Sequence, residues 1–194
     1  MTSTDTPAPE ARTALARALE AHRPPDAAEA ADLERAAALL TAPEGARTAW
    51  DRATPLHFTA SALVVHRASR RVLLRHHERQ GTWLHVGGHA DPGETDPLGV
   101  ALREGVEETG LPDLTPWPDA SPLHLVIVPV AAAGSEPAHE HVDLRYVLVT
   151  EQPEAARAER ETAPVRWFSF EDARAATAAD NLRETLRRAE RLLR

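Results

Sequence analysis

The sequence predicts an α+β fold in which a mixed β-sheet lies between helices, with a helical extension before it. Strand-like and helix-like segments both occur, but they do not alternate in the regular way that produces parallel α/β folds. Hydrophobic residues make up 42% of the 194-residue chain, which is enough for one core. We therefore predict a helical extension over residues 1–50 and a single domain over residues 51–194.

The N-terminal extension is predicted to contain two helices. Leucines and alanines recur at helical spacing over residues 9–22 and 26–41, and two prolines at positions 24 and 25 separate the segments. Residues 1–8 are polar and predicted to fray, and a further turn is predicted over residues 46–51. The pattern leaves open whether these helices pack on the domain or on a second copy of the chain in a homodimer.

The domain begins with a predicted hairpin. Residues 57–66 are rich in small and β-branched side chains, and residues 71–76 are their predicted partner strand. Residues 81–86 are predicted as a third, short strand. Further strands are predicted over 123–132, 142–150 and 165–170, a loop over 133–141, and helices starting at Glu171 and covering 181–194.

Composition excludes several classes of function. The chain has no cysteine, so disulfides, thiolate metal sites and cysteine nucleophiles are ruled out. Its formal charge of −8 disfavours nucleic-acid binding, which needs a basic surface. No apolar run has the length of a membrane span, and residues 1–25 lack the apolar core of a secretory signal. We therefore expect a cytoplasmic protein that binds neither membranes nor nucleic acids.

One segment, residues 87–111, concentrates the residues that carry chemistry. Its second half is predicted as a helix that Asp96 caps, that Pro97 begins and that Gly110 ends. The glycine-rich loop before it lets backbone groups approach a ligand closely, because glycine has no Cβ. The segment therefore combines a defined helix with a loop suited to binding.

Three carboxylates share one face of this predicted helix. At about 100° per residue, Glu104, Glu107 and Glu108 fall within an arc of about 100°. Like charges at these spacings repel unless solvent or a divalent cation offsets them. A set of oxygen ligands suits Mg²⁺, with Mn²⁺ as the other candidate ion. A solvated acidic surface remains the alternative for three glutamates taken alone.

The segment resembles the Nudix box, whose pattern is G-x5-E-x7-R-E-U-x-E-E-x-G-U, where U is aliphatic. The matching residues lie between positions 88 and 111: Gly88, Glu94, Arg103, Glu104, Glu107, Glu108, Gly110 and Leu111.

Three positions depart from the Nudix pattern. Eight residues rather than seven separate Glu94 from Arg103, and we expect the loop before the helix to absorb the extra one. Gly105 occupies an aliphatic position, which indicates close packing by a neighbouring element. Val86 stands where the family more often has proline.

The resemblance implies a reaction and a set of roles. The expected activity is Mg²⁺-dependent hydrolysis of the pyrophosphate linkage in a nucleoside diphosphate derivative, by water attack on phosphorus. Arg103 is expected to assist catalysis by orienting Glu107, with which it pairs at i, i+4, and Glu94 is expected to support the box. The implied metal ligands are the backbone carbonyl of Gly88 and the carboxylates of Glu104, Glu107 and Glu108, with Glu108 also in a catalytic role.

Residues outside the box are predicted to complete the site. In the loop predicted over residues 133–141, Glu140 is the first candidate for a general base and Glu136 the second. A base in such a position would act from a loop that closes over the substrate. The alternative for either residue is a solvated loop carboxylate.

Histidines supply two further hypotheses. His89 follows Gly88 and is predicted to contact a phosphate of the substrate. His139 and His141 share a face in an extended segment and suggest zinc, but no third strong ligand is spaced with them. The sequence therefore does not predict zinc.

Two other classes of function were weighed. The first is a non-catalytic Nudix-fold protein that binds or senses a nucleotide, against which the intact set of charged box residues argues. The second is an isomerase of isoprenoid diphosphates, a class that relies on a cysteine. The sequence leaves open which nucleoside diphosphate derivative is the substrate, because selectivity lies outside the box.

Overall fold

A computed structural model describes residues 13–134 and 136–194. This part of the chain is an α+β fold with one eight-stranded mixed sheet, which confirms the predicted class. The predicted fraying of residues 1–8 and the predicted helical residues 9–12 lie outside the described residues. Within the described ranges, no helix is both long enough and apolar enough to cross a membrane.

The N-terminal extension forms three helices: α1 (Ala14–Ala21), α2 (Ala27–Thr41) and the short α3 (Gly45–Thr48). Thr13 caps α1, and Asp26 caps α2 by accepting hydrogen bonds from two backbone N–H groups at 3.0 Å.

The extension packs on its own domain. The buried side chains of Leu15, Leu19 and Ala36 belong to the same hydrophobic core as the central strands of the sheet. Of the two arrangements that the sequence left open, the structure therefore shows packing within one chain. The homodimer remains an untested prediction.

Strand β1 (Leu56–His66) is the centre of the sheet. It pairs antiparallel with β2 (Arg71–His77) and β4 (Val86–Gly88) and parallel with β7 (His139–Val149). Two strands extend the sheet from β2 and two from β7: β3 (Thr82–Leu84) and β8 (Val165–Ser169), then β5 (Thr115–Pro116) and β6 (His124–Val130).

Helices cover both faces of the sheet, as predicted. One face is packed by α4 (Pro97–Thr109) together with the extension. The other face is packed by α5 (Phe170–Ala176) and α6 (Asp180–Leu192). Strand β1 is buried on both sides. Most of its residues are apolar, and its polar residues His57, Thr59 and Ser61 are buried as well.

Two strand boundaries differ from the prediction in ways that affect the site. The strand predicted over residues 81–86 is two strands, because the chain leaves β2 after Leu84 and joins β1 at Val86. Strand β7 begins at His139 rather than at Val142, so the predicted loop is shorter. The polar start of β7 has no apolar alternation, and its pairing with β1 and β6 makes it a strand.

The box helix α4 has the predicted ends. The Asp96 side chain accepts a hydrogen bond from the backbone N–H of Leu98 at 3.2 Å, and Gly110 has the left-handed φ of 66°. Val106 of α4 is 44% exposed, whereas Val100 and Glu108 are buried. The helix therefore packs partly through its carboxylate side, where it contacts β4.

Gly105 is tightly packed, and this leads to a stability prediction. A Cβ added there would lie 2.9 Å from Leu114 Cδ1 and 3.3 Å from Leu148 Cδ1. Gly105→Ile restores the aliphatic residue of the Nudix pattern, but we expect it to overpack and to destabilise the fold by about 1–3 kcal/mol in urea unfolding. Val106→Ile on the exposed face is the control, expected within about 0.5 kcal/mol of wild type. An unchanged or raised stability of Gly105→Ile would contradict the packing argument.

Glu29 connects the extension to the domain. Its carboxylate accepts hydrogen bonds from the backbone N–H of Leu125 at 2.8 Å and from the guanidinium of Arg188 on α6, and it lies 2.6 Å from His22 Nε2. Burial alone would raise the pKa of Glu29, but these three partners lower it to about 2.

We expect Glu29→Gln to lower the free energy of unfolding by about 3 kcal/mol at pH 7, because buried Arg188 loses its charged partner. The folded-state pKa lies below the unfolded value of 4.5, so this contribution is present above that pH and is lost as the pH falls toward 2. Urea unfolding at pH 7 and pH 3 should therefore show a smaller difference at the lower pH. The exposed Glu34→Gln is the control, and equal stability of both variants at pH 7 would contradict the assignment.

Candidate active site

A cleft of about 690 Å³ opens beside the Nudix-like segment. The backbone of Gly87 and Gly88 and the side chain of Glu108 form part of its wall, and Arg75 of β2 lines the same wall. The segment that the sequence singled out therefore borders a concave site, and ligands most often bind in concave sites.

Arg103 holds the charged residues of the box together. Its Nε and Nη2 donate to the carboxylate of Glu94 at 2.9 to 3.1 Å, and Nη2 also donates to the backbone carbonyl of His89 at 2.9 Å. Its Nη1 donates to Glu104 at 3.0 Å and to Glu107 at 2.9 Å. The extra residue of the loop therefore leaves Glu94 within reach of Arg103, and hydrogen bonding from Arg103 lowers the pKa of Glu94.

Glu108 is a buried carboxylate at the cleft, only 9% exposed. One oxygen accepts a hydrogen bond from the backbone N–H of Gly87 at 3.1 Å, and the other lies 3.1 Å from Arg75 Nη1. Burial raises the pKa of Glu108 to about 7, although Arg75 and Gly87 act in the opposite direction. The stabilisation that Arg75 and Gly87 give to the ionised carboxylate is therefore smaller than the penalty of burying it.

Glu104 lies against the glycine backbone. A Cβ added at Gly88 would lie 2.6 Å from Glu104 Oε1, so a larger residue at position 88 would displace this carboxylate. Burial raises the pKa of Glu104, with Arg103 opposing and Glu107 reinforcing the change. Carboxylates whose pKa values are raised by burial favour added positive charge, which suits a hard divalent cation.

The structure does not bring Glu140 to the cleft. Glu140 forms an ion pair at 2.6 Å with Arg35 of α2, and hydrogen bonding from Arg35 lowers its pKa. Alternation along β7 directs His139, His141 and Asp143 to the cleft and Glu140 to the other side. The prediction of Glu140 as the general base assumed that residue 140 lies in a loop, whereas the structure places it in strand β7.

Glu136, the second candidate for the base, does line the cleft. One of its oxygens lies 3.5 Å from Arg79 Nη1, in a contact between exposed side chains. It lies just before β7, on the connection that leads from β6.

The histidines are closer together than the sequence indicated. His89 lines the cleft, but its Nε2 lies 3.0 Å from His57 Nε2. His139 Nε2 lies 3.0 Å from His141 Nε2, and the ring of His141 contacts those of His57 and His89. The sequence places no third ligand near His139 and His141, whereas the structure adds two, His57 and His89.

Asp143 and Arg145 of β7 were missed by the sequence reasoning. Both are buried and line the cleft, and the Asp143 carboxylate accepts hydrogen bonds from Ser61 at 2.7 Å, Thr59 at 3.0 Å and Arg145 at 2.8 Å. Burial would raise the pKa of Asp143, but Arg145 and the other donors lower it to about 2. The available signal was an acidic and a basic residue two positions apart within the mainly apolar segment 142–149.

Solved structures of other proteins share the fold of this chain. An Ap4A hydrolase of C. elegans, solved as a binary complex, matches with a TM-score of 0.56 and 22% identity, over 70% of this chain and 96% of that one. The NUDIX domain of Shewanella oneidensis NrtR, complexed with ADP ribose, matches with a TM-score of 0.51 and 18% identity, over 71% and 88% of the two chains. These likenesses establish the fold.

The family follows from the sequence comparisons. The NUDIX domain matches residues 55–189, and the chain therefore belongs to the Nudix family, as the box predicted. A protein of Lactococcus lactis named "Probable DHNTP pyrophosphohydrolase" is 34% identical over 104 residues, which is 54% of this chain. The match spans 60% of the length of that relative.

Proposed function

We propose that the protein is a pyrophosphohydrolase that depends on Mg²⁺, or on Mn²⁺ in its place, and cleaves a nucleoside diphosphate derivative. The observation that carries this proposal is the buried carboxylate of Glu108, bonded to the Gly87 backbone at the cleft, with the half-buried carboxylate of Glu104 against Gly88. The name of the Lactococcus lactis relative supports the same class of reaction.

The carboxylates of Glu104, Glu107 and Glu108 and the carbonyl of Gly88 would hold the divalent ion. When bound, such an ion neutralises charge on phosphate oxygens and increases the acidity of bound water. The donor set fits the ion because all donors are oxygen atoms and because the raised pKa values of Glu104 and Glu108 favour added positive charge.

Arg103 would fix the orientation of these carboxylates during the reaction. Its five donor groups are already bonded to Glu94, Glu104, Glu107 and the backbone of His89, so the box is ordered before substrate binds. His89 remains the proposed phosphate contact of the loop, through the part of its ring that faces the cleft.

Arg75 and Arg79 line the cleft and offer positive charge to the phosphates of a substrate. Glu136 is the carboxylate that we propose as general base, because it lines the cleft whereas Glu140 does not. In the reaction, Glu136 accepts a proton as water attacks phosphorus, the bridging P–O bond breaks, and its electron pair leaves with the second phosphate.

A compound screen tests this function. The panel contains ADP-ribose, dinucleoside polyphosphates, nucleoside triphosphates and nucleotide sugars, with product analysis in Mg²⁺ and after EDTA treatment. We expect cleavage of at least one class in Mg²⁺ and loss of that cleavage with EDTA. Cleavage that persists without metal would contradict the metal assignment. Tight binding of a panel compound without turnover would favour the alternative function, a non-catalytic nucleotide-binding or sensing protein.

A further inference from the structure

Four imidazoles meet on one wall of the cleft, on residues other than the box carboxylates. His57 of β1 is directly opposite His141 of β7 in the parallel register, and His139 lies two residues earlier on the same face of β7. His89 follows β4, which pairs with β1 on its other side. Three separate backbone segments therefore bring the four rings to one place.

The distances between the ring nitrogens suit a shared metal ion. The Nε2 atoms of His57 and His89 are 3.0 Å apart, as are those of His139 and His141. One ring nitrogen from each of His57, His89 and His141 lies within 4.8 Å of the others. Two nitrogen ligands of a tetrahedral zinc ion, each about 2.0–2.1 Å from the metal, lie about 3.3 Å apart.

Two of the rings have a fixed tautomer that directs a lone pair into the cluster. His57 Nδ1 lies 2.9 Å from the carbonyl oxygen of Thr54, and His139 Nδ1 lies 2.9 Å from that of Pro137. A carbonyl oxygen only accepts, so each Nδ1 carries the proton and each Nε2 has a free lone pair. Donation of the second ring N–H to a backbone carbonyl is the usual arrangement of histidines that bind a metal.

The rings are also shielded from solvent. His57 is buried, and His89 and His141 are half-buried. A hydrogen bond between two neutral imidazoles could explain either 3.0 Å contact taken alone. It would not explain why the two pairs of rings lie together, with the Nδ1 atoms of His57 and His139 bonded to backbone carbonyls.

We propose that His57, His89 and His141 form a binding site for a transition-metal ion, with Zn²⁺ as the expected occupant and with His139 beside His141. Imidazole nitrogen prefers Zn²⁺, Ni²⁺ and Cu²⁺, whereas the oxygen ligands of α4 suit Mg²⁺ and Mn²⁺. The two sites therefore select different ions, although His89 follows Gly88 directly. A zinc ion here would add positive charge to the wall of the cleft.

Calorimetry with ZnCl₂ and the full-length protein without a histidine tag tests the site. We expect one Zn²⁺ per chain, with an affinity that a millimolar excess of Mg²⁺ does not change. His89→Gln and His141→Gln should each weaken zinc binding at least about tenfold. The control is His66→Gln, whose ring bonds to Ser69 outside the cluster and whose loss should leave zinc binding unchanged.

Further measurements distinguish loss of the zinc site from loss of folding. Circular dichroism of the metal-free variants checks that each one folds, and thermal unfolding should show that Zn²⁺ raises the midpoint of wild type but not that of the two cluster variants. The electron paramagnetic resonance spectrum of bound Cu²⁺ should show coupling to several nitrogen nuclei. The proposal is overturned if wild type binds no stoichiometric Zn²⁺, or if folded cluster variants bind it as tightly as wild type.

Discussion

Glu108→Gln is expected to lower turnover by about 10³-fold and to weaken Mg²⁺ binding in parallel. The substitution keeps the shape of the side chain but removes one negative charge from the proposed metal site. Loss of such a metal ligand raises the activation barrier by several kcal/mol. Product formation at saturating Mg²⁺ and calorimetry with MgCl₂ measure the two effects. Glu161→Gln, an exposed change away from the box, is the control for both.

Loss of folding would not explain this result. The folded-state pKa of Glu108, about 7, lies above its ordinary value of 4.5, so its contribution to stability falls as the pH rises from 4.5 to 7 and is fully lost above 7. Removing the charge should therefore leave the metal-free protein no less stable at pH 8. Full activity of Glu108→Gln with normal Mg²⁺ affinity would make the acidic face of α4 a solvated surface and would remove the basis for the proposed reaction.

Glu136→Gln is expected to lower turnover by about 10²–10⁴-fold, the usual contribution of a general base, without changing Mg²⁺ affinity. Glu140→Gln is the matched control, because it removes the same group four residues away, on the side of β7 that faces α2. Its loss breaks only the partly exposed ion pair with Arg35, which contributes about 1 kcal/mol or less to stability. Activity should therefore remain near that of wild type.

The opposite outcome would be informative. If Glu140→Gln lost turnover while Glu136→Gln retained it, the strand start at His139 would have to rearrange in the active enzyme, and the loop expected from the sequence would be the relevant state. If both variants kept full activity, the base would lie in the box, where Glu104 is the next candidate.

The box could be predicted from the sequence because its determinants are local. The cap at Asp96, the stop at Gly110 and the pairing of Arg103 with Glu107 all depend on residues within a few positions of one another, and the structure shows each of them. Close packing at Gly105 was also inferred correctly from a missing side chain.

The rest of the site depends on contacts between distant parts of the chain. The grouping of His57 with His141 results from the parallel register of β1 and β7, and no local pattern reports that register. The orientation of Glu140 depends on where β7 begins, and a polar segment that becomes a strand through pairing alone lacks the alternation that predicts one. The exposure of Val106 likewise depends on how β4 crosses α4.

Binding of Mn²⁺ alone, followed by the electron paramagnetic resonance signal of the free ion, tests the metal assignment most directly. Wild type, Glu104→Gln, Glu108→Gln and His141→Gln are titrated in parallel at equal protein concentration. The account predicts that wild type and His141→Gln remove Mn²⁺ from solution equally, whereas both glutamate variants bind it at least about tenfold more weakly. Equal Mn²⁺ binding by all four proteins, or loss of binding in His141→Gln alone, would contradict the assignment of the divalent ion to the carboxylates of α4.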